Sequence, residues 1–252
     1  MVKQNGWQRY FKKVEEIFAR IQATQGEQIT AAADVLCQTV KKGGLIRVFG
    51  VGHSSILAEE ANNRAATLAP IHSIMEISMT GHVEVTKSGA MENLPGAGEV
   101  IAEYHRIAPP DAVIISSQSG NNIVPIEFAE ACRKRGVPVI VITSVEYTNY
   151  LKAKHPSGKK LKDHADIVID NCCPIGDGAL NFEGMEQTVG PTSTAAGIPI
   201  LNAVLSQTVE NLLAQGVEPD VYFNGSLAIN HPEIGEYNRK LVEKYFHRIR
   251  NL

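Results

Sequence analysis

No stretch of this chain approaches the ~18 consecutive apolar residues that a membrane-crossing helix needs, so no membrane partner is expected. Cysteine is scarce. Cys37, Cys132, Cys172 and Cys173 show neither C-x-x-C spacing nor a histidine in ligand register, so neither a zinc site nor any other metal is expected. The adjacent pair Cys172-Cys173 reads most simply as reduced thiols at a strand end. Positive charge is also in short supply: 24 Lys and Arg against 27 Asp and Glu leave a net charge of −3. A chain of that balance has no basic field to attract nucleic acid. Met1 to Ile21 is charged and holds no uninterrupted apolar core, unlike a secretory signal, and the expected location is the cytoplasm. No Gly-Lys-Ser/Thr is present, which argues against a nucleoside triphosphate.

What is present fits a globular domain. The 252 residues, 44% of them hydrophobic, are enough to bury roughly 70–75% of the surface exposed by the unfolded chain. Trp7, Phe11, Val14, Phe18 and Ile21 recur at spacings of four and three, with Tyr10 and Ile17 beside them, which predicts an amphipathic helix. A second helix is expected from Thr30 to Lys41, stopped by Gly43-Gly44. The aromatic-rich first stripe suits either its own domain or a partner subunit.

Beyond Gly44 the pattern changes. Short runs dense in Val and Ile, at Leu45–Phe49, Ile71–Ile77, Ala112–Ser116, Val137–Thr143 and Asp166–Asp170, read as strands covered on both faces. Helical stretches separate them at Ser55–Leu68, Ala97–Ile107 and Val124–Arg135. An irregular stretch from Pro174 to Pro191 precedes a strong helix with Ile198, Leu201, Leu205, Val209 and Leu212 on one face, and a closing helix is expected from Gly235 to Arg250. Alternating strand and helix predicts a three-layer α/β/α domain with a five-stranded parallel sheet, spanning residues 1–252 as one unit, with residues 1–43 as a helical N-terminal extension.

In such sheets ligands bind beyond the carboxyl ends of the strands. Two strand ends stand out: Phe49-Gly50-Val51-Gly52-His53-Ser54-Ser55 and Ser116-Ser117-Gln118-Ser119-Gly120-Asn121-Asn122, each followed by a helix. Glycines admit a ligand close to the backbone, and a helix amino end presents unpaired N–H groups to an anion. Neither loop carries Lys or Arg, so the cradle suits one phosphomonoester. A dinucleotide is the main competitor, with Gly50-x-Gly52 and Glu76, but the third glycine position is Ser55 and the motif leaves the second loop unexplained.

These two loops resemble the phosphate loops of SIS (sugar isomerase) domains. His53-Ser54 with Ala58-Glu59-Glu60, Val124-Pro125-Ile126-Glu127, His155-Pro156-Ser157-Gly158-Lys159, Val189-Gly190-Pro191-Thr192-Ser193-Thr194, and Asn230 with Glu236-Tyr237-Asn238-Arg239 are similar to the single-SIS group UPF0309. The resemblance implies a flavodoxin-like strand order and a homodimer or homotetramer, packed in part through residues 1–43. It implies a sugar phosphate as ligand, gripped by Gly52, Ser54, Ser55, Ser117, Gln118, Ser119, Gly120 and Asn122. Thr192, Ser193 and Thr194 would line the sugar.

Isomerisation of a sugar phosphate through an enediol needs a base and a ring-opening acid, and no cofactor. Glu60, one helical turn before Arg64, and His53 inside the first loop are the expected catalytic pair, although Glu60 and Arg64 at i, i+4 also make an ordinary ion pair. In the phosphoheptose isomerase branch the glutamate base lies ten residues after the loop serine, and that position here is Arg64. Glu92, Glu183 and Glu186 fall in irregular stretches that could fold over the site, although such residues read more often as solvated loop charges. His155–Lys159 reads as a surface turn, or as a lid whose lysine reaches the phosphate. The alternatives to an isomerase are a non-catalytic phosphosugar sensor, or an etherase or deaminase acting on amino-sugar phosphates.

Overall fold

The computed structural model describes residues 5–249. The start of the Met1–Ile21 segment and the Arg250 end of the expected closing helix lie outside the described residues. Five strands, β1 (Ile46–Gly50), β2 (Ile71–Ile74), β3 (Ala112–Ser116), β4 (Val139–Thr143) and β5 (Ile167–Asp170), form one sheet in the order β2-β1-β3-β4-β5. Every pairing in it is parallel. This is the expected flavodoxin-like order, with its switch point between β1 and β3.

The apolar strand runs feed two cores because successive side chains point to opposite faces. Ile46, Val48, Ala112, Ile114, Ile140 and Ile142 face one layer, and Phe49, Val113, Ile115, Val139 and Val141 face the other. The first layer holds α1 (Gly6–Thr24), α2 (Gly26–Lys41), α3 (Ile56–Ala61) and the long α8 (Ser193–Ala214). The second holds α5 (Ala97–Tyr104) and α6 (Ile123–Lys134), with the Phe128 ring 4.7 Å from that of Phe49. The closing helix α9 (Pro232–Tyr245) buries Leu241 and Tyr245 against Leu45, Ala69 and Tyr222.

Several boundaries differ from expectation. The helix expected over Ser55–Leu68 ends at Ala61, because Asn63 and Ala66 take positive φ and the chain turns away from helical geometry. The β2 run stops at Ile74, and Ile77 begins a 3-10 turn. Two short helices, α4 (Val85–Met91) and α7 (Val145–Tyr150), lie in stretches with too little apolar periodicity to announce them. The irregular Pro174–Pro191 stretch carries an antiparallel ribbon of β6 (Gly178–Leu180) and β7 (Val189–Pro191). The stripe of α1 is buried only toward its carboxyl end. Ile17 and Ile21 are covered, whereas Trp7 and Phe11 are exposed. No helix among the described residues is long and apolar enough to cross a membrane.

Candidate functional site

A cavity of about 780 Å³ opens beyond the carboxyl ends of β1 and β3. It is lined by the first loop (Val51 to Ser54), the second loop (Ser117 to Ser119, Asn121, Asn122), and Glu92, Tyr147, Leu151, Lys154, Gly176, Asp177, Pro191, Ser193 and Thr194. The two loops that stood out in the sequence therefore meet at the switch point.

The first loop leaves β1 through Gly50. A β-carbon there would sit 2.4 Å from the Ser54 carbonyl oxygen, so only glycine lets the loop fold back this tightly. Gly52 to Ser55 then make a 3-10 turn that leads into α3. Ser55 is buried with its hydroxyl donating to the Gly52 carbonyl, so it shapes the turn and does not line the cavity.

The second loop is fixed from below. The Thr148 hydroxyl donates to the Ser119 carbonyl at 3.0 Å, and the Ser144 N–H to that of Gln118 at 3.3 Å. Gly120 has φ +59, and a β-carbon on it would lie 2.9 Å from Thr148 Oγ1, so Gly120 also serves the turn and not the lining. Ser117 Oγ accepts the Gly120 N–H, which leaves the Ser117 O–H to donate elsewhere. Asn121 is buried and ties in a third segment: its Nδ2 donates to the Lys152 carbonyl and its Oδ1 accepts the Lys154 N–H. Through that clamp Lys154 becomes the one lysine or arginine among the lining residues.

The Gln118 amide is oriented by a chain of bonds. Asn171 Oδ1 accepts the Cys173 N–H, so Asn171 Nδ2 must face Gln118 and donate to its Oε1 at 2.7 Å. Gln118 Nε2 is then left as a buried donor with no partner among the described residues. An unpaired buried donor costs about 1–3 kcal/mol, and a ligand oxygen would satisfy it.

Two carboxylates line the cavity, Glu92 and Asp177, and Asp177 is engaged at the amino end of α8. Glu92 ends α4, and its Oε2 lies 3.5 Å from where a β-carbon on Gly52 would be. Burial pushes its pKa up, opposed by the nearby Lys154 and by a hydrogen bond from Asn122. Glu60 lies elsewhere. It pairs with Arg64 and accepts from Asn202 Nδ2 at 3.3 Å, and it is not among the lining residues. The i, i+4 ion pair weighed in the sequence is the arrangement found. Glu59 pairs with His82 at 2.8 Å. His53 does line the cavity.

The third element is the amino end of α8. Asp177 accepts the Thr192 and Ser193 N–H groups and the Ser193 hydroxyl at 2.7–2.9 Å. An internal carboxylate thus already occupies that helix terminus. Thr192 is buried, its hydroxyl donating to Asp177, and only Ser193 and Thr194 reach the cavity. Lys159 does not line the cavity, and Ser157 to Lys159 form an exposed turn in which Ser157 contacts His155 Nδ1 at 2.7 Å. Glu183 and Glu186 are exposed.

Glu92, Asn121, Tyr147, Lys154 and Asp177 were not among the expected site residues. Asn121 sits inside the second loop motif but reads there as a turn residue, and the other four are brought in by packing. The only signal in the sequence was the polar character of segments that follow strands. Among the described residues no group of three or more His, Cys, Asp or Glu side chains could hold a metal ion.

Comparison with known proteins agrees with this geometry. The SIS domain family matches residues 9–144. A UPF0309 protein of Geobacillus sp. (strain WCH70) is 35% identical over 242 residues, covering 96% of both chains. A UPF0309 protein of Listeria monocytogenes serotype 4b is 34% identical over 240 residues, covering 95% of this chain and 96% of its own. Among solved structures, a phosphoheptose isomerase from Francisella tularensis superposes with a TM-score of 0.54 at 14% identity, over 80% of this chain and 95% of that one. The Vibrio vulnificus NanR protein complexed with ManNAc-6P superposes with a TM-score of 0.55 at 15% identity, over 98% and 71%. At such identities these two structures speak for the fold alone. With two loops at the β1/β3 switch point and relatives matched nearly end to end, this chain belongs to the SIS domain family and, within it, to the UPF0309 proteins.

Proposed function

We propose that the cavity binds a sugar phosphate and isomerises it through an enediol, with Glu92 as the proton-transferring base. The observation that carries this reading is the placement of one half-buried carboxylate, with raised proton affinity, in the same cavity as two hydroxyl-rich loops. The phosphate would take the Ser54, Ser117 and Ser119 hydroxyls, Gln118 Nε2 and the positive end of α6, with Lys154 supplying a full charge. This seats one phosphomonoester and leaves the rest of the cavity for the sugar.

A base that moves a proton between adjacent carbons works best with a pKa drawn toward neutrality, and burial moves Glu92 in that direction. The base takes a proton from C2 of the open-chain aldose and returns it to C1, while a hydroxyl proton moves between the two oxygens. His53, which lines the cavity from the first loop, would carry the ring-opening proton transfer. Glu60, held by Arg64 and Asn202, is given no role at the sugar. Binding of ManNAc-6P by the NanR structure supports a phosphosugar as the ligand of this fold. Four free, buried cysteines suit the reducing cytoplasm. A homodimer or homotetramer, using the exposed Trp7 and Phe11 end of α1, belongs to the same proposal.

The test is proton NMR in D2O with a panel of hexose, heptose and amino-sugar phosphates. Deuterium appearing at C2 of one of them supports the isomerase reading. Binding without exchange at any carbon overturns it and leaves a phosphosugar sensor.

A further inference from the structure

A second polar cavity, of about 480 Å³, lies at the opposite end of the same strands. It is lined by Arg47, His105, Arg106, Asp111, His247 and Arg248 together with Pro109, Pro110, Phe246 and Ile249. Arg47 sits near the amino end of β1 and Asp111 immediately precedes β3. The proposed sugar-phosphate site is beyond the other end, about 15 Å away along strands that rise ~3.3 Å per residue.

Part of this cluster is structural. Arg47 Nε and Nη2 both meet Asp111 Oδ2, at 2.9 and 2.8 Å, and Asp111 Oδ1 accepts the Leu45 N–H. Both side chains are about 95% buried. That pair neutralises itself, and Arg106 and Arg248 remain as two uncompensated positive charges on the cavity wall. Arg106 is exposed and has no side-chain partner among the described residues. Arg248 donates to the Gly43 carbonyl and approaches Asp111 only to 3.8 Å. Burial pushes the Arg47 pKa down despite Asp111, so this wall would be relieved by more negative charge.

A second observation points to a ligand. His105 is 93% buried, and its Nε2 contacts Glu76 at 3.2 Å. Its other nitrogen, Nδ1, is buried with no partner. The neighbouring His72 ring lies 5.0 Å away and its Nδ1 meets Arg47, so His72 is engaged within the protein. His105 thus lines the cavity with one ring nitrogen engaged by Glu76 and the other without a protein partner.

We propose that this cavity is a second ligand site, which takes the phosphate group of a small phosphomonoester between Arg106, Arg248 and His105. The wall carries two net positive charges beyond the Arg47–Asp111 pair, which match a phosphate dianion, and arginine's planar fork of donors suits tetrahedral oxyanions. The site is independent of the proposed isomerase cavity, with which it shares no residue.

Inorganic phosphate is the probe, since it carries only the group this site would read. Isothermal titration of the full chain should show two binding events. The Arg106→Ala, Arg248→Ala double variant should lose one of them, weakened by about tenfold or more. The Ser117→Ala, Ser119→Ala variant should lose the other. An arginine variant that titrates like the native chain would overturn the proposal, whatever the serine variant does. In the native chain, phosphate should also shift the His105 ring resonances. Resonances unmoved at saturating phosphate overturn the proposal without any substitution.

Discussion

The backbone carbonyl of Glu92 accepts the N–H of Val124 at 3.1 Å. This bond joins the end of α4 to the first turn of α6 and brings the carboxylate to Asn122, the residue that precedes α6. It also removes one orphan donor of α6, and Pro125 at the next position has none to offer. In the proposed site the phosphate would therefore meet the loop N–H groups and hydroxyls together with the dipole of α6, and neither Val124 nor Pro125 would offer it an N–H.

Replacing Glu92 by Gln separates catalysis from stability. Turnover should fall by about 10²–10⁴-fold with substrate affinity nearly intact, as loss of a general base predicts. Because the folded-state pKa is raised above its ordinary value of 4.5, the folded protein binds that proton more tightly than the unfolded chain, and stability falls as pH rises through the interval above 4.5. E92Q should therefore melt at a higher temperature than the native protein at neutral pH. The difference should vanish below about pH 4, where both states are protonated. Thermal unfolding from pH 4 to 8 checks the sign.

The phosphate contacts have a different signature. Ser119→Ala should weaken sugar-phosphate affinity by about tenfold, the worth of one hydrogen bond to a charged group. Melting temperature without ligand should barely change. Calorimetric titration of both proteins with the substrate found by NMR decides it.

Lys154→Met tests the long-range charge. Affinity should fall and its dependence on salt should flatten, since the one lysine or arginine of the cavity wall is removed. Equal salt slopes in the two proteins would mean that Lys154 does not meet the phosphate.

Asp177→Ala removes the carboxylate from the amino end of α8, where it accepts two backbone N–H groups and the Ser193 hydroxyl. A loss of about 1–2 kcal/mol of stability is expected from the missing cap. Asp177→Asn should recover part of it, because the amide oxygen still accepts. Denaturant unfolding of the three proteins orders them.

Gly50→Ala should be more damaging than any of these, since its β-carbon would meet backbone atoms of Ser54 and Ser55 at 2.4–3.1 Å. The first loop would have to open, and phosphate binding should be lost along with several degrees of melting temperature.

The strand runs, their order of appearance and the two Ser/Gly-rich loops at the cavity could be read from the chain because each depends on local rules. A run such as Ala112–Ser116 is apolar at every position since both faces of a central parallel strand are covered, and the observed strand has the same bounds. The glycines and hydroxyls of the loops announce themselves because a strand-to-helix turn that approaches a ligand tolerates little else. What the sequence could not decide was which charges enter the cavity. Glu60 and Glu92 are equally plain in the sequence, but Glu60 finds Arg64 one turn along α3, whereas Glu92 is brought into the cavity by a backbone bond to a helix more than thirty positions away. Lys154 likewise arrives through the Asn121 clamp, and the Arg47, His105 and Arg248 cluster through the return of α9 to the foot of the sheet. Backbone conformation is set by near neighbours along the chain. The environment of a charge is set by whatever the completed fold places around it, and only the tertiary structure contains that information.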